Sequence, residues 1–141
     1  MTITLRPATV DDCERVWGWN FASDVRRVSN DASIVELAQH AAWYMDRLAH
    51  DAPMWIVEAE GAPVGVVRID SDGRISIALG AEARGRGIGR RAIAAACAVW
   101  ARPVVATIRN NNPASRACFE ACGFVPKTTN DQVVTYQWSP R

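Results

Sequence analysis

The sequence predicts an α/β (α+β) fold. It reads as one domain over residues 1–141, with a central mixed, mainly antiparallel twisted sheet of about seven strands flanked by about four helices. Three observations predict it. Strand-like runs between residues 54 and 79 are separated only by turn residues, as in an antiparallel meander. Two stretches, 34–48 and 87–101, place apolar residues at helical spacing. A β-branched run, Val104 to Ile108, follows Pro103 directly, and one more helix and two strands close the order β-α-α-β-β-β-α-β-α-β-β.

Taken in order, Thr2 to Leu5 alternates as a first strand and Pro7 ends it. Thr9 caps a helix to about Asn20, with Asp11, Asp12 and Glu14 in its first turn. Ser33 caps a longer helix to about His50, with Glu36 completing a capping box. Its apolar stripe is Ile34, Leu37, Ala38, Ala41, Met45 and Leu48, predicted to face the core; His40, Trp43, Tyr44 and Arg47 form a second stripe. Met54 to Ala59, Val64 to Asp70 and Arg74 to Leu79 are three strands joined by Glu60-Gly61-Ala62-Pro63 and Ser71-Asp72-Gly73. Gly87 to Ala101 is a helix with Gly89, Ile93, Ala96, Cys97 and Trp100 on one face. Asn112-Pro113 opens the last helix and Gly123 closes it; Phe124 to Val125 and Gln132 to Trp138 are the final strands.

Composition excludes several classes. Hydrophobic residues are 49% and charged residues 22%, near the averages for globular domains. The longest nearly apolar run, Ala92 to Ala101, is far shorter than the roughly 20 residues a membrane span needs. No N-terminal stretch has the form of a signal peptide, so a soluble cytoplasmic protein without a membrane or nucleic-acid partner is expected, as a monomer or homodimer. The net charge is only +1, yet Arg84, Arg86, Arg90 and Arg91 fall within eight residues, which points to a local anion site rather than a basic surface. Cys13, Cys97, Cys118 and Cys122 lack the second Cys/His pair of a zinc site, so no metal is expected and the thiols are read as reduced.

The segment Arg84-Gly85-Arg86-Gly87-Ile88-Gly89-Arg90 follows a strand and opens a helix. Glycines let the chain turn and approach a ligand, and a helix N-terminus offers free N–H groups, so the segment suits a pyrophosphate. It lacks the Gly-Lys-Ser/Thr of a P-loop, and its strand belongs to a meander rather than a βαβ unit. Past the next strand, Asn112, Ser115 and Phe119 share a helix face, followed by Gly123-Phe124.

With these two segments joined by one strand, and with the opening Leu5-Arg6-Pro7-Ala8-Thr9 and Asp12, the chain resembles the GNAT superfamily of acetyl-CoA-dependent N-acetyltransferases. The resemblance implies the GNAT fold and acetyl-CoA as co-substrate. It implies cofactor contacts at Arg84, Gly85, Arg86, Gly87, Ile88, Gly89 and Arg90, with backbone N–H groups on the pyrophosphate. It also implies that the end of the fourth strand (Ile77, Ala78 and Leu79) splays from the next strand and holds the pantetheine arm, with Asn112, Ser115 and Phe119 completing the cofactor site. A primary amine would attack the acetyl carbonyl directly. Phe119 stands where many relatives have a Tyr that protonates the departing thiolate, so another donor or water serves, or the thiolate leaves unprotonated. A free thiol pKa of about 8.5 permits the last. Candidate bases are His40, Glu58 and Asp70, or a water held by Ser76; His40 is the best match in chemistry, and Asp70 ranks low beside a hairpin tip.

A narrower pattern comprises Trp19, Asp24-Val25-Arg26, Ser29, Ser33-Ile34, His40-Ala41-Ala42-Trp43 and Gly65-Val66-Val67-Arg68-Ile69-Asp70. It is similar to the GNAT subgroup that acetylates the 4-amino group of UDP-linked amino-deoxy sugars of the pseudaminic acid pathway. That resemblance implies a nucleotide-linked amino sugar as the amine substrate, met by Trp19, Arg26, His40, Trp43 and Arg68. Physical alternatives stand beside each. Arg68 and Ser76 are at cross-strand positions, where the Arg needs an anionic ligand or a structural carboxylate. Trp17, Trp19, Trp43 and His40 serve a ligand or pack the core, and Arg26 binds phosphate or stays solvated.

Overall fold

The computed structural model describes residues 1–21, 36–50 and 52–141. Ser33, Ile34 and Arg26 therefore lie outside the described residues. Strand β1 (Ile3–Pro7) leads through a short 3-10 turn into helix α1 (Cys13–Phe21). Helix α2 (Leu37–Leu48) follows, then strands β2 (Met54–Ala59), β3 (Ala62–Ile69) and β4 (Ile75–Leu79). Helix α3 (Ile88–Trp100), β5 (Val104–Arg109), α4 (Pro113–Ala121), β6 (Val125–Thr129) and β7 (Val133–Trp138) complete the chain. The predicted element order holds among the described residues.

The strands form two antiparallel sheets, β1-β2-β3-β4 and β5-β7-β6. A single parallel bridge, Arg74 to Val105, joins them. Strand β2 is the most buried because it packs on both faces. Trp55, Val57 and Ala59 point to a core that includes Ile88, Ala92, Ile93, Ala96 and Cys97 of α3. Met54 and Ile56 point to a smaller core with Val16 of α1 and Tyr44 of α2.

Several local expectations change. The β2–β3 turn is only Glu60-Gly61, because Ala59 already pairs with Ala62. Pro63 thus lies inside β3, opposite Glu58 beside a register shift, the kind of irregularity where a missing N–H is tolerated. Strand β6 runs five residues rather than two; every residue is exposed, so no buried alternation marked it, and Pro126 suits its edge position.

Of the two stripes of helix α2, the structure buries part of the second, with Leu48 of the apolar stripe beside it. Leu37, Ala38 and Met45 are exposed, while His40 and Tyr44 are buried. Hydrogen bonding decides this. The Tyr44 hydroxyl donates to the Thr9 carbonyl at 2.7 Å, His40 Nε2 meets the Cys13 carbonyl at 3.0 Å, and Arg47 reaches the Pro53 and Ile69 carbonyls. These groups find partners only by turning inward. Glu36 is the N-cap residue itself, not the third residue of a box.

Asp12 ties β1 to α1. Its buried carboxylate accepts from Arg6 at 2.8 and 2.9 Å, from Arg15 at 2.6 Å and from the Thr9 N–H at 2.8 Å. The Arg6 hydrogen bonds outweigh burial, which acts to raise the pKa, and hold the Asp12 carboxyl well below the usual carboxylate range. A depressed folded-state pKa adds stability that is present above the unfolded pKa of about 3.9 and is lost as pH falls through the folded value. Asp12→Asn is expected to cost about 3 kcal/mol at neutral pH, since it replaces the buried carboxylate on which Arg6, Arg15 and the Thr9 N–H converge. Urea unfolding should also show that the variant has lost the part of the wild-type stability decline below pH 4 that Asp12 supplies; a variant as stable as wild type would refute this.

Candidate active site

The site is set by where β4 parts from β5. Asp70 N donates to Arg74 O and Gly80 N donates to Val64 O, so the even-numbered residues of this segment turn their main chain to β3. Ile75, Ile77 and Leu79 therefore turn theirs toward β5. Beyond the Arg74–Val105 bridge the two strands share no ladder. The expected splay is present, with Ile77 and Leu79 facing it. Ala78 also lines the cleft, but its main chain belongs to the β3 ladder opposite Val66 and its side chain joins the smaller core.

A cleft of about 1170 Å³ occupies this gap. At one end stands the glycine segment. Gly87, the N-cap of α3, has φ 78°, a left-handed conformation that glycine adopts without steric cost. The first bond of α3 runs from Arg91 N to Gly87 O, so the N–H groups of Ile88, Gly89 and Arg90 precede any intrahelical acceptor. Gly89 packs tightly: a Cβ there would lie 3.2 Å from Cys118 Sγ. Gly85, Gly87, Ile88, Gly89 and Arg90 all line the cleft, and this arrangement fits the phosphates of coenzyme A.

The arginines divide. Arg84 lines the cleft, but its guanidinium donates to the Leu79 carbonyl at 3.1 and 3.3 Å, satisfying an oxygen left open by the splay. Arg86 does not line it and reaches the Met1 sulfur at 3.6 Å. Asn112, Ser115 and Phe119 do line it. Asn112 Oδ1 accepts from Ser115 N at 3.2 Å, so the side-chain oxygen is committed to the helix cap. Phe119 is buried edge-on to Phe124, with ring centroids 5.0 Å apart. All four cysteines are free, and burial raises the Cys97 thiol to about 12 and the Cys122 thiol to about 11, which disfavours thiolate nucleophiles. Among the described residues no group of three His, Cys, Asp or Glu is placed to hold a metal ion.

The other end of the cleft is lined by Asn20, Phe21, His40, Trp43, Arg68, Asp70, Arg74 and Ser76. Arg68 pairs with Ser76 across β3 and β4, as the alternation required. Its guanidinium carbon lies 5.1 Å from the centre of the Trp43 ring, and Nε lies 3.4 Å from Asp70 Oδ1. Burial lowers the Arg68 pKa, with Asp70 opposing. His40 packs against Phe21, Trp43 and Tyr44, at 6.0, 5.5 and 5.7 Å between ring centroids. Because a carbonyl only accepts, the contact with Cys13 O assigns the proton to Nε2 and leaves the lone pair on Nδ1. Burial lowers the His40 pKa, so the ring is neutral at neutral pH.

Two expectations fail here. Trp19 does not line the cleft; it packs against the smaller core. Glu58 does not line it either and pairs with Arg6 at 3.1 Å. Asn20, Phe21, Arg74, Thr107 and Arg109 were missed. Asn20 carried a signal, since it follows Cys13 and Val16 at helical spacing, a polar residue on a buried stripe.

Fold and cleft together define an acyl-CoA-dependent transferase. The acetyltransferase (GNAT) domain family matches residues 2–125, and the chain belongs to that family. It is an acyltransferase with acetyl-CoA as co-substrate. A domain from Methanocaldococcus jannaschii superposes with TM-score 0.83 at 22% identity, covering 97% of both chains. Spermidine N-acetyltransferase of Vibrio cholerae, in complex with CoA and spermine, gives 0.81 at 18% identity over 96% of this chain and 94% of that one. AAC(6')-Ib, in complex with ribostamycin and coenzyme A, gives 0.79 at 20%, over 100% and 94%. No curated protein matches the sequence. The matches carry the family and not the narrower amino-sugar subgroup. No helix among the described residues is long and apolar enough to cross a membrane.

Gly87→Val places a β-branched side chain at a left-handed φ. The loop must rearrange where the N–H groups of α3 are presented. Calorimetry of the folded variant is expected to show acetyl-CoA affinity at least about tenfold weaker, or about 1.4 kcal/mol. Unchanged affinity would remove the glycine segment from the cofactor site.

Proposed function

We propose that the chain acetylates the primary amine of a small acceptor held between His40, Trp43, Arg68 and Ser76, and that this amine is borne by an anionic molecule such as a nucleotide-linked amino sugar. The observation that supports it is one continuous cleft with a helix N-terminus at one end and a polar wall containing Arg68 at the other. Gly85 and Gly87 to Arg90 bind the diphosphate of acetyl-CoA through main-chain N–H groups, and Ile77 and Leu79 align the pantetheine arm along the open edge of β4. The amine nitrogen forms the new bond to the acetyl carbon, the carbon–sulfur bond breaks, and CoA leaves as thiolate.

His40 Nδ1 takes the ammonium proton. Of the candidate carboxylates, Glu58 is outside the cleft and pairs with Arg6, and Asp70 Oδ1 is engaged by the guanidinium groups of Arg47 and Arg68. Ser76 hydrogen-bonds the acceptor from the facing strand. A general base contributes about 10²–10⁴-fold. His40→Gln is expected to lower kcat about a hundredfold. Since burial depresses the His40 pKa, the basic form persists down to pH values below 6.5, and the acid limb of kcat/KM should lie there in wild type and vanish in His40→Gln. A variant with wild-type kcat and the same pH profile would assign the proton to water.

The acceptor class is tested separately. Charge-assisted hydrogen bonds contribute about 1.5–3 kcal/mol, and 1.4 kcal/mol is about a factor of ten. Arg68→Ala should therefore raise KM for a UDP-4-amino sugar roughly 10–100-fold, with acetyl-CoA affinity near wild type. Parallel assays of that compound, the free sugar and a short peptide decide the class. Preference for the peptide, or equal rates with and without UDP, would rule out the anionic acceptor.

A further inference from the structure

Three charged side chains meet where α2 crosses the end of β3, Arg47, Arg68 and Asp70, while the neighbouring Arg74 donates to Thr107 Oγ1 of β5. Asp70 is the sole carboxylate among the described residues that line the cleft. One of its oxygens, Oδ1, faces two cations: Nη1 of Arg47 in a short ion pair, and Nε of Arg68 at 3.4 Å. The two contacts are unequal. Arg47 is also held by the Pro53 and Ile69 carbonyls, each at 3.1 Å, and its side chain is only 12% exposed. It is fixed at the junction of α2 with the β2 and β3 ends, and it does not line the cleft. Arg68 meets Asp70 at Nε, so its two terminal nitrogens lie outside that ion pair, and its plane sits by Trp43 in the cleft wall.

We propose that Arg47 is a specificity-determining residue: by supplying a second cation to the one carboxylate of the acceptor site it leaves the Arg47–Asp70–Arg68 group with a positive charge in excess, so that Arg68 selects amines carrying a phosphate or carboxylate. This rests on the acceptor end assigned above. The charge count carries it. With Arg47 in place, Asp70 is matched and Arg68 remains available to an anion. Without Arg47, the same carboxylate has Arg68 as its nearest cation. Arg68 then closes onto it, since a guanidinium and a carboxylate prefer a bidentate pair. The Arg68–Asp70 pair is then neutral, and the preference for an anionic acceptor falls. Arg47 acts through Asp70 and touches neither the reacting atoms nor coenzyme A.

The test compares phosphoethanolamine with ethanolamine as acceptors and reads the ratio of their kcat/KM values, with acetyl-CoA affinity measured by calorimetry. Wild type should favour phosphoethanolamine. Arg47→Gln should lower the ratio about tenfold, which is about 1.4 kcal/mol, with acetyl-CoA affinity retained. Asp70→Asn should hold or raise it, because Arg68 loses its competing partner. The Arg47→Gln/Asp70→Asn pair should restore it to the wild-type value or above, an outcome that a merely structural role for Arg47 would not produce. An equal loss with both acceptors in Arg47→Gln, or no recovery in the pair, overturns the proposal. If Arg47→Gln does not fold, Asp70→Asn decides alone: a lowered ratio overturns the proposal, and a held or raised one supports it. Wild type that binds acetyl-CoA yet turns over neither amine, or favours ethanolamine, overturns the anionic-acceptor reading, and this inference with it.

Discussion

A β-strand edge cannot be left unpaired inside a protein without cost, because each main-chain N–H and C=O taken from water needs a partner. The open edge of β4 is that constraint here. Strand β5 starts beside it at the Arg74–Val105 bridge and then diverges, so the outward groups of Ile77 and Leu79 have no strand to meet. The protein closes part of this deficit with its own side chain, the Arg84 guanidinium on the Leu79 carbonyl. The rest faces a cleft wide enough for a ligand with peptide-like amides. A pantetheine arm supplies such groups, so the gap between the sheets and the choice of co-substrate have one physical origin.

The same gap explains why two chemistries share one cavity. The segment of β4 alternates, so its odd-numbered residues face the α3 core and its even-numbered residues face α1 and α2. A cleft that passes beside β4 touches both layers. On the α3 side it meets a helix N-terminus and glycines, suited to phosphate. On the other side it meets Ser76 and, one strand away, Arg68, with the aromatic face of α2 above them. Helix α2 is drawn onto that face by polar anchors, Tyr44 to Thr9 and Arg47 to the β2 and β3 ends, more than by apolar burial. Its exposed leucine and methionine are the consequence.

The sequence made the cofactor half legible and the acceptor half only in part. Glycines at 85, 87 and 89 before an apolar helical stripe name a turn, a close approach and a helix start at once, and period-two alternation alone placed Arg68 opposite Ser76. The facing of α2 was not legible. Periodicity ranks faces by apolar content, and here the winning face carries a histidine, a tyrosine and an arginine whose partners at Cys13, Thr9 and Ile69 lie 22 to 35 residues away. Trp19 and Glu58 failed for a related reason: a residue type suited to a ligand is equally suited to a core or an ion pair, and only the third dimension separates them. Strand β6 had no buried face to read.

Phe119 brings these arguments together. Its ring is buried against Phe124, and that packing fixes α4 against the end of the second sheet. A hydroxyl at this position would need a partner in an apolar setting. The reaction does not require it. The new amide bond forms as the carbon–sulfur bond breaks, and the proton that must be removed is the one on the amine nitrogen. A thiolate with a solution pKa of about 8.5 is a competent leaving group at neutral pH and takes its proton from water once it is out of the cleft. In the proposed reaction the demanding proton transfer is thus at the acceptor, and the neutral ring of His40 and the guanidinium of Arg68 both line that end of the cleft. In this chain the one imidazole and the one carboxylate among the described cleft-lining residues, His40 and Asp70, lie away from the glycine segment, and the Phe119 position is left to hydrophobic packing.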